Sequence, residues 1–569
     1  MVELYPHQKE AVTWMRTTER RPRIVPTQPH GGILAHAMGL GKTMTMLSFI
    51  WGQTPGRTLV VCPKSLLLQW EREARTVGYV APHTVTKYHG SSRQIPEHTT
   101  SGHQLILTTF DIVRMERRRG RALHDITWDR VVLDEAHRIC EQSSKTAHAI
   151  QALRAPNRWC VTGTPFKNGI NDLVALSRFL MVDPFCNMMW WKWYGNSATK
   201  LREWRRLLLH LRDKSVLYLP PMQSHNLNII LSPAETTLDT CLKEATWKMR
   251  VNEEVVEGGG AIPSSFLTHD QHELLRILRM RQAANHPLLL APHNSMKHQV
   301  LGCPTPEGMC EACGGAPAHP PVPASTCTHN LCDTCREEPV CAACITSMLQ
   351  QEGEWLHSGK TRALWIYLRD VARITTTQTK VVLFSQWTTC LDLLGYMLDH
   401  EGVAHACYDG RVNTTEEREL VIAHFRDTPS CNVLLTSLGA GGEGVNLTFA
   451  SHVIIMEPYW NLAAEQQAID RIHRIGQNKV THVVRLQLDD SVETWVKNIQ
   501  TRKTNELQRL LYENVDSNSN SVSGTKRTFT QRLRSQFESG EEVVQEDECL
   551  SAFLMHTPSS KQKQKQIKV

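Results

Sequence analysis

No stretch of this 569-residue sequence approaches the roughly 18–20 consecutive apolar residues of a membrane-spanning helix. Its first residues, Met1-Val2-Glu3-Leu4-Tyr5-Pro6, lack the basic-then-apolar pattern of a secretion signal. Membrane spanning and secretion are therefore not expected. Charge of one sign is also in short supply: 63 Lys and Arg against 57 Asp and Glu leave only +6. That excess is too small to mark a nucleic-acid binder by itself, so any basic track must be local. Cysteine is plentiful, but it lacks the even spread of a disulfide framework. Of the 17, seven crowd between Cys310 and Cys344, the pattern of a metal module in a reducing compartment. At about 150 residues per domain, the length allows three or four domains, each able to bury its own core.

Hydrophobic patterning divides the chain. Residues 1–184 alternate short β-branched or Leu-rich runs (Thr58–Cys62, Leu105–Thr109, Arg130–Leu133, Arg158–Val161) with helix-length amphipathic stretches. Residues 351–512 repeat the alternation with Val381–Phe384, Val433–Leu435, His452–Ile455 and His482–Leu486 as buried strands. Both read as α/β lobes with a parallel sheet flanked by helices. Between them, 185–300 reads as a helical insertion and linker, with Trp190, Trp191, Trp193 and Trp204 expected to pack on the first lobe. Residues 301–350 form the Cys-rich insert. Residues 513–569 turn to Ser, Asn, Gln and clustered charge, and are expected to be disordered.

The candidate nucleotide site starts at Met38-Gly39-Leu40-Gly41-Lys42-Thr43, between the apolar run 32–35 and a helix. A Gly-rich loop opening a helix aims backbone N–H groups at phosphate oxygens. Lysine adds a point charge there, and the Thr43 hydroxyl is a candidate Mg²⁺ ligand. A second buried strand delivers Asp134 and Glu135 at its carboxyl end, where α/β sheets place their ligands. Asp134 suits Mg²⁺ and Glu135 suits polarisation of an attacking water. Gln8, in Tyr5-Pro6-His7-Gln8, offers an amide for an adenine edge. Arg471 and Arg474, three apart and expected on one helical face, suit the charge that spreads over a transferring phosphoryl group. They lie more than 400 residues from Lys42 in the other lobe, so a shared ATP would occupy an interlobe cleft.

With these residues in view the chain resembles the Snf-type (Swi/Snf-like) ATPases of helicase superfamily two. Further blocks in that family's order are Pro63-Lys64-Ser65, Thr162-Gly163-Thr164-Pro165 with Asn168, Phe384-Ser385-Gln386-Trp387, Ala440–Thr448 and His473-Arg474-Ile475-Gly476-Gln477. The resemblance implies two RecA-like lobes and DNA-stimulated ATP hydrolysis that drives translocation on double-stranded DNA, and leaves open whether that DNA is nucleosomal, forked or promoter DNA. It implies Gln8, Met38, Gly39, Leu40, Gly41, Lys42, Thr43 and Gly442 around the nucleotide. Lys42, Asp134, Glu135, Arg471 and Arg474 would be its catalytic residues. Three departures stand out. His36-Ala37 occupies the usual Asp-Glu position before the phosphate loop, Glu443 replaces a small residue, and Glu457 replaces an aspartate. The first is expected to slow turnover or weaken nucleotide binding without abolishing activity.

Cys310, Cys313, Cys327, His329, Cys332, Cys335, Cys341 and Cys344 have the spacing of a cross-braced RING finger with two structural zinc ions. Interleaving puts Cys310, Cys313, Cys332 and Cys335 on one Zn²⁺ and Cys327, His329, Cys341 and Cys344 on the other. A RING between the lobes is the layout of the repair-linked branch that includes helicase-like transcription factors. The module is expected to recruit a protein partner or a ubiquitin-conjugating enzyme. Two other readings accompany the translocase: a RING-type ubiquitin ligase targeted to DNA by the motor, and an ATPase-inactive DNA-bound scaffold. A nuclear location follows from the duplex-DNA substrate.

Overall fold

The computed structural model describes residues 3–21, 30–77, 85–90, 93–97, 102–119, 122–141, 144–163, 169–195, 197–244, 269–291, 293–301, 309–314, 322–323, 329–331, 341–350, 355–373, 379–412, 414–441 and 445–511. Two all-parallel sheets organise them. The first contains β1 (Gly31–His36), β2 (Arg57–Cys62), β3 (Val85–Lys87), β4 (Gln104–Thr109), β5 (Arg130–Asp134), β6 (Asn157–Val161) and β7 (Leu209–Arg212), in the order β3-β4-β2-β5-β6-β1-β7. Its inner strands β1, β4 and β5 are buried at every position. That is why their interiors are runs of apolar or β-branched residues instead of an alternation, with His36, Gln104, Arg130 and Asp134 confined to strand ends.

The second sheet is built from β8 (Met222–Ile229), β11 (Val381–Ser385), β12 (His405–Tyr408), β13 (Val433–Ser437), β14 (His452–Ile455) and β15 (Thr481–Leu488), in the order β12-β13-β11-β14-β15-β8. A two-stranded antiparallel pair, β9 (Val322–Pro323) with β10 (Asn330–Leu331), lies in the Cys-rich insert. Helices cover both faces of each large sheet, and separate apolar clusters fill each face. The α/β class with two parallel-sheet lobes is the one read from the sequence.

The stretch 185–300 differs from a purely helical insertion. It contributes β7 to the edge of the first sheet and β8 to the edge of the second. Its polar composition hid both strands, because an edge strand has only one neighbour and β8 exposes most of its side chains. The Trp-rich helices do pack on the first sheet. Trp191 and Trp204 are buried, with their indole N–H groups donating to Phe185 O and Ser177 Oγ at 2.8 Å each, while Trp193 faces solvent. Residues Met1–Thr237 and Gln282–Asp516 constitute one compact unit, so both sheets belong to it. Residues 238–281 belong to a second unit, in which Arg276 Nη1 donates to Lys243 O at 2.8 Å. Among the described residues, no helix is long and apolar enough to cross a membrane.

Candidate functional site

The carboxyl end of β1 runs into a loop whose shape depends on two glycines. Gly39 has φ +85° and Gly41 φ +72°, in the left-handed region where a side chain is strained. Gly41 caps the helix Lys42–Trp51, so the loop's N–H groups and the helix N-terminus face the same space. Lys42 Nζ turns back onto the loop, donating to His36 O at 2.9 Å and Ala37 O at 3.3 Å. Leu40 and Met38 are buried beneath it. A Cβ on Gly163 would lie 3.3 Å from Lys42 Nζ and 2.6 Å from Met38 Cγ, so the Thr162-Gly163 segment closes directly on the loop.

Gln8 is placed on the same loop. Its Oε1 accepts from Tyr5 N at 2.9 Å, and its Nε2 donates to Leu40 O and Gly41 O at 3.3 Å each. Beside it, His7 Nε2 approaches Leu40 O at 3.1 Å. The amide expected at an adenine therefore also braces the phosphate loop.

The His36 departure has a physical partner. The His36 ring is wholly buried and its Nε2 meets His210 Nδ1 at 2.9 Å, with His210 contributed by β7. Burial, then the neighbouring His210 and Lys42, push its pKa down to about 2, and burial with Arg212 takes His210 to about 4. Both rings are neutral at physiological pH, so this pair adds no charge under the loop. Sequence reasoning missed His210 because its partner lies 174 positions away.

Asp134 and Glu135 end β5 and are buried. Trp70 Nε1 donates to Asp134 Oδ2 at 2.7 Å and Glu135 N to Asp134 Oδ1 at 2.9 Å. Glu135 itself has φ 51°, a left-handed conformation costing about 1–2 kcal/mol for an L-residue. Its carboxylate stands 3.3 Å from His137 Nδ1. Burial and the adjacent Glu135 raise the Asp134 pKa. For Glu135 burial pulls the same way, but His137, Lys42 and Arg471 outweigh it and hold the carboxyl low. One carboxyl thus stays ionised beside another that ionises less readily. Trp70 carries no local sequence pattern that would have singled it out; only the folded helix brings its indole to Asp134.

The arginines come from the second sheet's side, and here the helical expectation is corrected. The helix Leu462–Ile469 stops before them, with Asp470 as its C-cap. Arg471 and Arg474 sit on the following turn instead. Gly476, at φ +100°, and Gln477, whose amide donates to Ile472 O and Ala450 O at 3.2 and 2.9 Å, close that turn. Arg471 is buried, and its backbone O accepts from Leu447 N at 3.0 Å. Burial, then Arg471, lowers the Arg474 pKa, against Glu73 and Asp470, yet a guanidinium stays protonated in proteins.

These two halves meet. A Cβ built on Gly39 would lie 2.6 Å from Arg474 Cβ and 3.2 Å from Arg474 Cα. Lys42 feels the charges of Asp470 and Arg471, and Glu135 that of Arg471. The sheets also touch through Arg72 and Glu419, 2.5 Å apart on the surface. The structure therefore brings together Gln8, Met38, Gly39, Leu40, Gly41, Lys42, Asp134, Glu135, Arg471 and Arg474, with Thr43 in the first helical turn. Gly442, Glu443, Thr164, Pro165 and Asn168 lie outside the described residues. Glu457 is buried and fully engaged: Ser385 Oγ, Gln386 N and Asn285 Nδ2 all donate to it. The longer acid is thus accommodated by three donors.

In the Cys-rich insert, His329 Nδ1 stands 3.4 Å from Cys344 Sγ and 3.9 Å from Cys341 Sγ, and the three ligand atoms lie within 4.8 Å of one another. A tetrahedral zinc with ordinary Zn–S and Zn–N bonds separates such atoms by roughly 3.6 Å, so this set fits the ion. Cys310 is buried and Cys313 half-buried. Cys327, Cys332 and Cys335 lie outside the described residues.

Comparison with known proteins gives two family matches: an SNF2-related domain over residues 7–288 and a helicase conserved C-terminal domain over residues 364–476. A protein named probable global transactivator, from Orgyia pseudotsugata multicapsid polyhedrosis virus, is 32% identical over 517 residues, covering 88% of this chain and 90% of that protein. DNA repair protein RAD5B of Arabidopsis thaliana is 30% identical across 83% of this chain and 45% of its own length. DNA repair protein rad8 of Schizosaccharomyces pombe is 30% identical across 86% of this chain and 52% of its own. The chain thus spans about half the length of these two repair proteins and nearly all of the viral one.

Proposed function

The chain belongs to the SNF2-related family, and from that premise we propose that it is a DNA-stimulated, Mg²⁺-dependent ATPase that translocates on double-stranded DNA. Hydrolysis takes place between the two sheets. The observation that carries this reading is the approach of Gly39 to Arg474, which puts a phosphate-type loop and two guanidiniums on one cleft.

Each residue then has a physical task. The backbone N–H groups at Gly39 and Gly41 and the Lys42 ammonium cradle the β- and γ-phosphates, with Gln8 bracing the loop and offering its amide to the adenine. Thr43 and Asp134 hold Mg²⁺, which neutralises charge on the phosphates when bound. The low pKa of Glu135 keeps a carboxylate ionised to orient the attacking water. Arg471 and Arg474 stabilise the charge that spreads over the phosphoryl oxygens, and they do so only when the sheets are together. Nucleotide state is thereby coupled to the separation of the lobes. Thr108 is wholly buried and its hydroxyl donates to Tyr88 O at 3.0 Å, whereas main-chain N–H and hydroxyl groups at Pro63–Ser65 and Ser437–Gly442 would grip the DNA backbone, reading charge and shape instead of sequence. That is how a chain with a net charge of only +6 can track along a polyanion.

The insert carries two structural zinc ions, on Cys310, Cys313, Cys332 and Cys335, and on Cys327, His329, Cys341 and Cys344, and presents a partner-binding surface. The 3.4 and 3.9 Å spacings around His329 support the second set. With repair proteins among its relatives, the setting proposed is DNA repair or chromatin remodelling in the nucleus.

The test is phosphate release by the full chain without DNA and with single-stranded, duplex, forked and nucleosomal DNA. Duplex DNA is expected to raise the rate, and Lys42→Ala to remove it. Equal background rates for both proteins on every DNA would reject the motor. Zinc content by atomic emission should match two ions per chain, and Cys344→Ser should lose one.

A further inference from the structure

The two halves of the cleft are joined by residues 213–221, which leave the first sheet beside the phosphate loop and enter the second sheet as β8. The strand before them, β7, pairs with β1 along Ile33↔Leu209 to His36↔Arg212, and Ala37 N extends the ladder to Arg212 O at 2.8 Å. Asp213 then accepts from Ser215 N at 2.9 Å and sets a tight turn, Lys214–Val216. From this turn Lys214 Nζ donates to Asp470 Oδ1 at 2.7 Å and to the His473 carbonyl. Farther along, Pro220 O accepts from His473 Nε2 at 2.9 Å. All three bonds fall on Asp470 or His473, in the turn that carries Arg471 and Arg474.

We propose that this segment is a strap and that Lys214 is a positioning residue: it holds the arginine turn against the phosphate loop and keeps Asp470 from claiming the arginines. The proposal rests on the ATP cleft described above. Asp470 is the reason a neutralising partner is needed. Its side chain is 5% exposed, Gln466 Nε2 also donates to it at 2.7 Å, and its charge acts on Lys42 and Arg474. A carboxylate so buried seeks the nearest cation. With Lys214 in place that cation is the strap. Without it, the cations within range are the guanidiniums and Lys42, whose forks and charge would then be turned from phosphate to carboxylate.

The experiment compares steady-state ATP hydrolysis on duplex DNA for the wild-type full chain, Lys214→Met, Lys214→Arg and the double variant Lys214→Met with Asp470→Asn. Lys214→Met is expected to lower kcat roughly ten- to hundredfold, as misplaced catalytic groups do, with KM for ATP unchanged. Lys214→Arg should restore most of the rate. The double variant should recover part of it, because no carboxylate remains to be stranded; a merely structural lysine would show no such relief. Wild-type kcat in Lys214→Met overturns the strap, and so does a loss that the double variant deepens. A wild-type chain that hydrolyses no ATP would instead remove the reading on which the strap depends, so the two failures are distinguishable.

Discussion

Substituting Gly39 by alanine isolates the meeting of the lobes from the folding of the loop. At φ +85° any L-residue pays about 1–2 kcal/mol for the left-handed backbone. Gly41, at φ +72°, carries the same liability, so Gly41→Ala is the natural control. The two differ in what the new methyl meets. At Gly41 it would stand 2.5 Å from Gln8 Nε2, the mobile end of a side chain that can swing aside for the loss of two 3.3 Å hydrogen bonds. At Gly39 it would stand 2.6 Å from Arg474 Cβ and 3.2 Å from its Cα, which cannot move without the turn. Restoring ordinary contact needs a retreat of roughly 1 Å, and a displacement of that size in a catalytic group costs on the order of a hundredfold in rate. Thermal unfolding should therefore report similar losses for the two variants, while kcat for ATP falls much further in Gly39→Ala. If Gly39→Ala turns over as fast as Gly41→Ala, Arg474 does not face the loop during catalysis and the interlobe cleft is refuted.

Two further outcomes probe the scaffold. Lys360 is wholly buried, bonded to Glu493, to Asn285 Oδ1 at 3.0 Å and to Met456 O at 2.9 Å. Lys360→Met strands the Glu493 carboxylate, so urea unfolding should show a loss of roughly 3–5 kcal/mol, and a loss below about 1 kcal/mol would contradict a buried ion pair. His286 accepts from Leu288 N at Nδ1 (3.1 Å) and donates from Nε2 to Leu356 O (2.8 Å), which leaves no site for a second proton. Burial first, with His357 adding to it against the Leu356 bond, takes its pKa down from 6.5 to about 4. The unfolded chain binds that proton below pH 6.5 and the folded chain does not, so this ring's contribution is complete above 6.5 and is lost as pH falls toward 4. The loss reaches about 3 kcal/mol. Ring NMR should show neutral imidazole at pH 5; a protonated ring there would remove the argument.

How much of this was legible in the sequence depends on how far apart the interacting groups lie along it. The buried central strands were, because a strand covered on both faces needs an apolar interior, and Val131–Leu133 and Val381–Phe384 supply it, with polar residues only at the strand ends. The phosphate loop was legible for a similarly local reason: glycines at 39 and 41 allow the left-handed backbone the loop adopts, and lysine follows them. The edge strands β7 and β8 were not, since an edge needs neither continuous apolarity nor a partner on both sides, and the polar run Gln223-Ser224-His225-Asn226 resembles a linker. Nor was the break at Asp470, which caps a helix that spacing alone would have continued through Arg474.

The residues the sequence concealed share one property: each acts on the cleft across a gap of tens to hundreds of positions. Trp70 reaches Asp134 across 64 positions, His210 reaches His36 across 174, and Lys214 reaches Asp470 across 256. All three touch a group in a motif block or within three residues of one. Their contacts settle what a motif cannot state by itself: what holds Asp134 Oδ2, what the ring at 36 is bonded to, and where Asp470 spends its charge. The blocks name the chemistry, and the long-range donors fix the geometry in which it operates. His36 illustrates the consequence. Judged against the acidic residue usual at that position it looked like damage to the phosphate loop, whereas with His210 bonded to it at 2.9 Å it is a buried, neutral, partnered side chain. The loop above it keeps Lys42 Nζ on the backbone carbonyls of 36 and 37, a bond that depends on neither side chain. An intact lysine position therefore follows from the main chain, and the acid-to-histidine change does not by itself predict a dead ATPase.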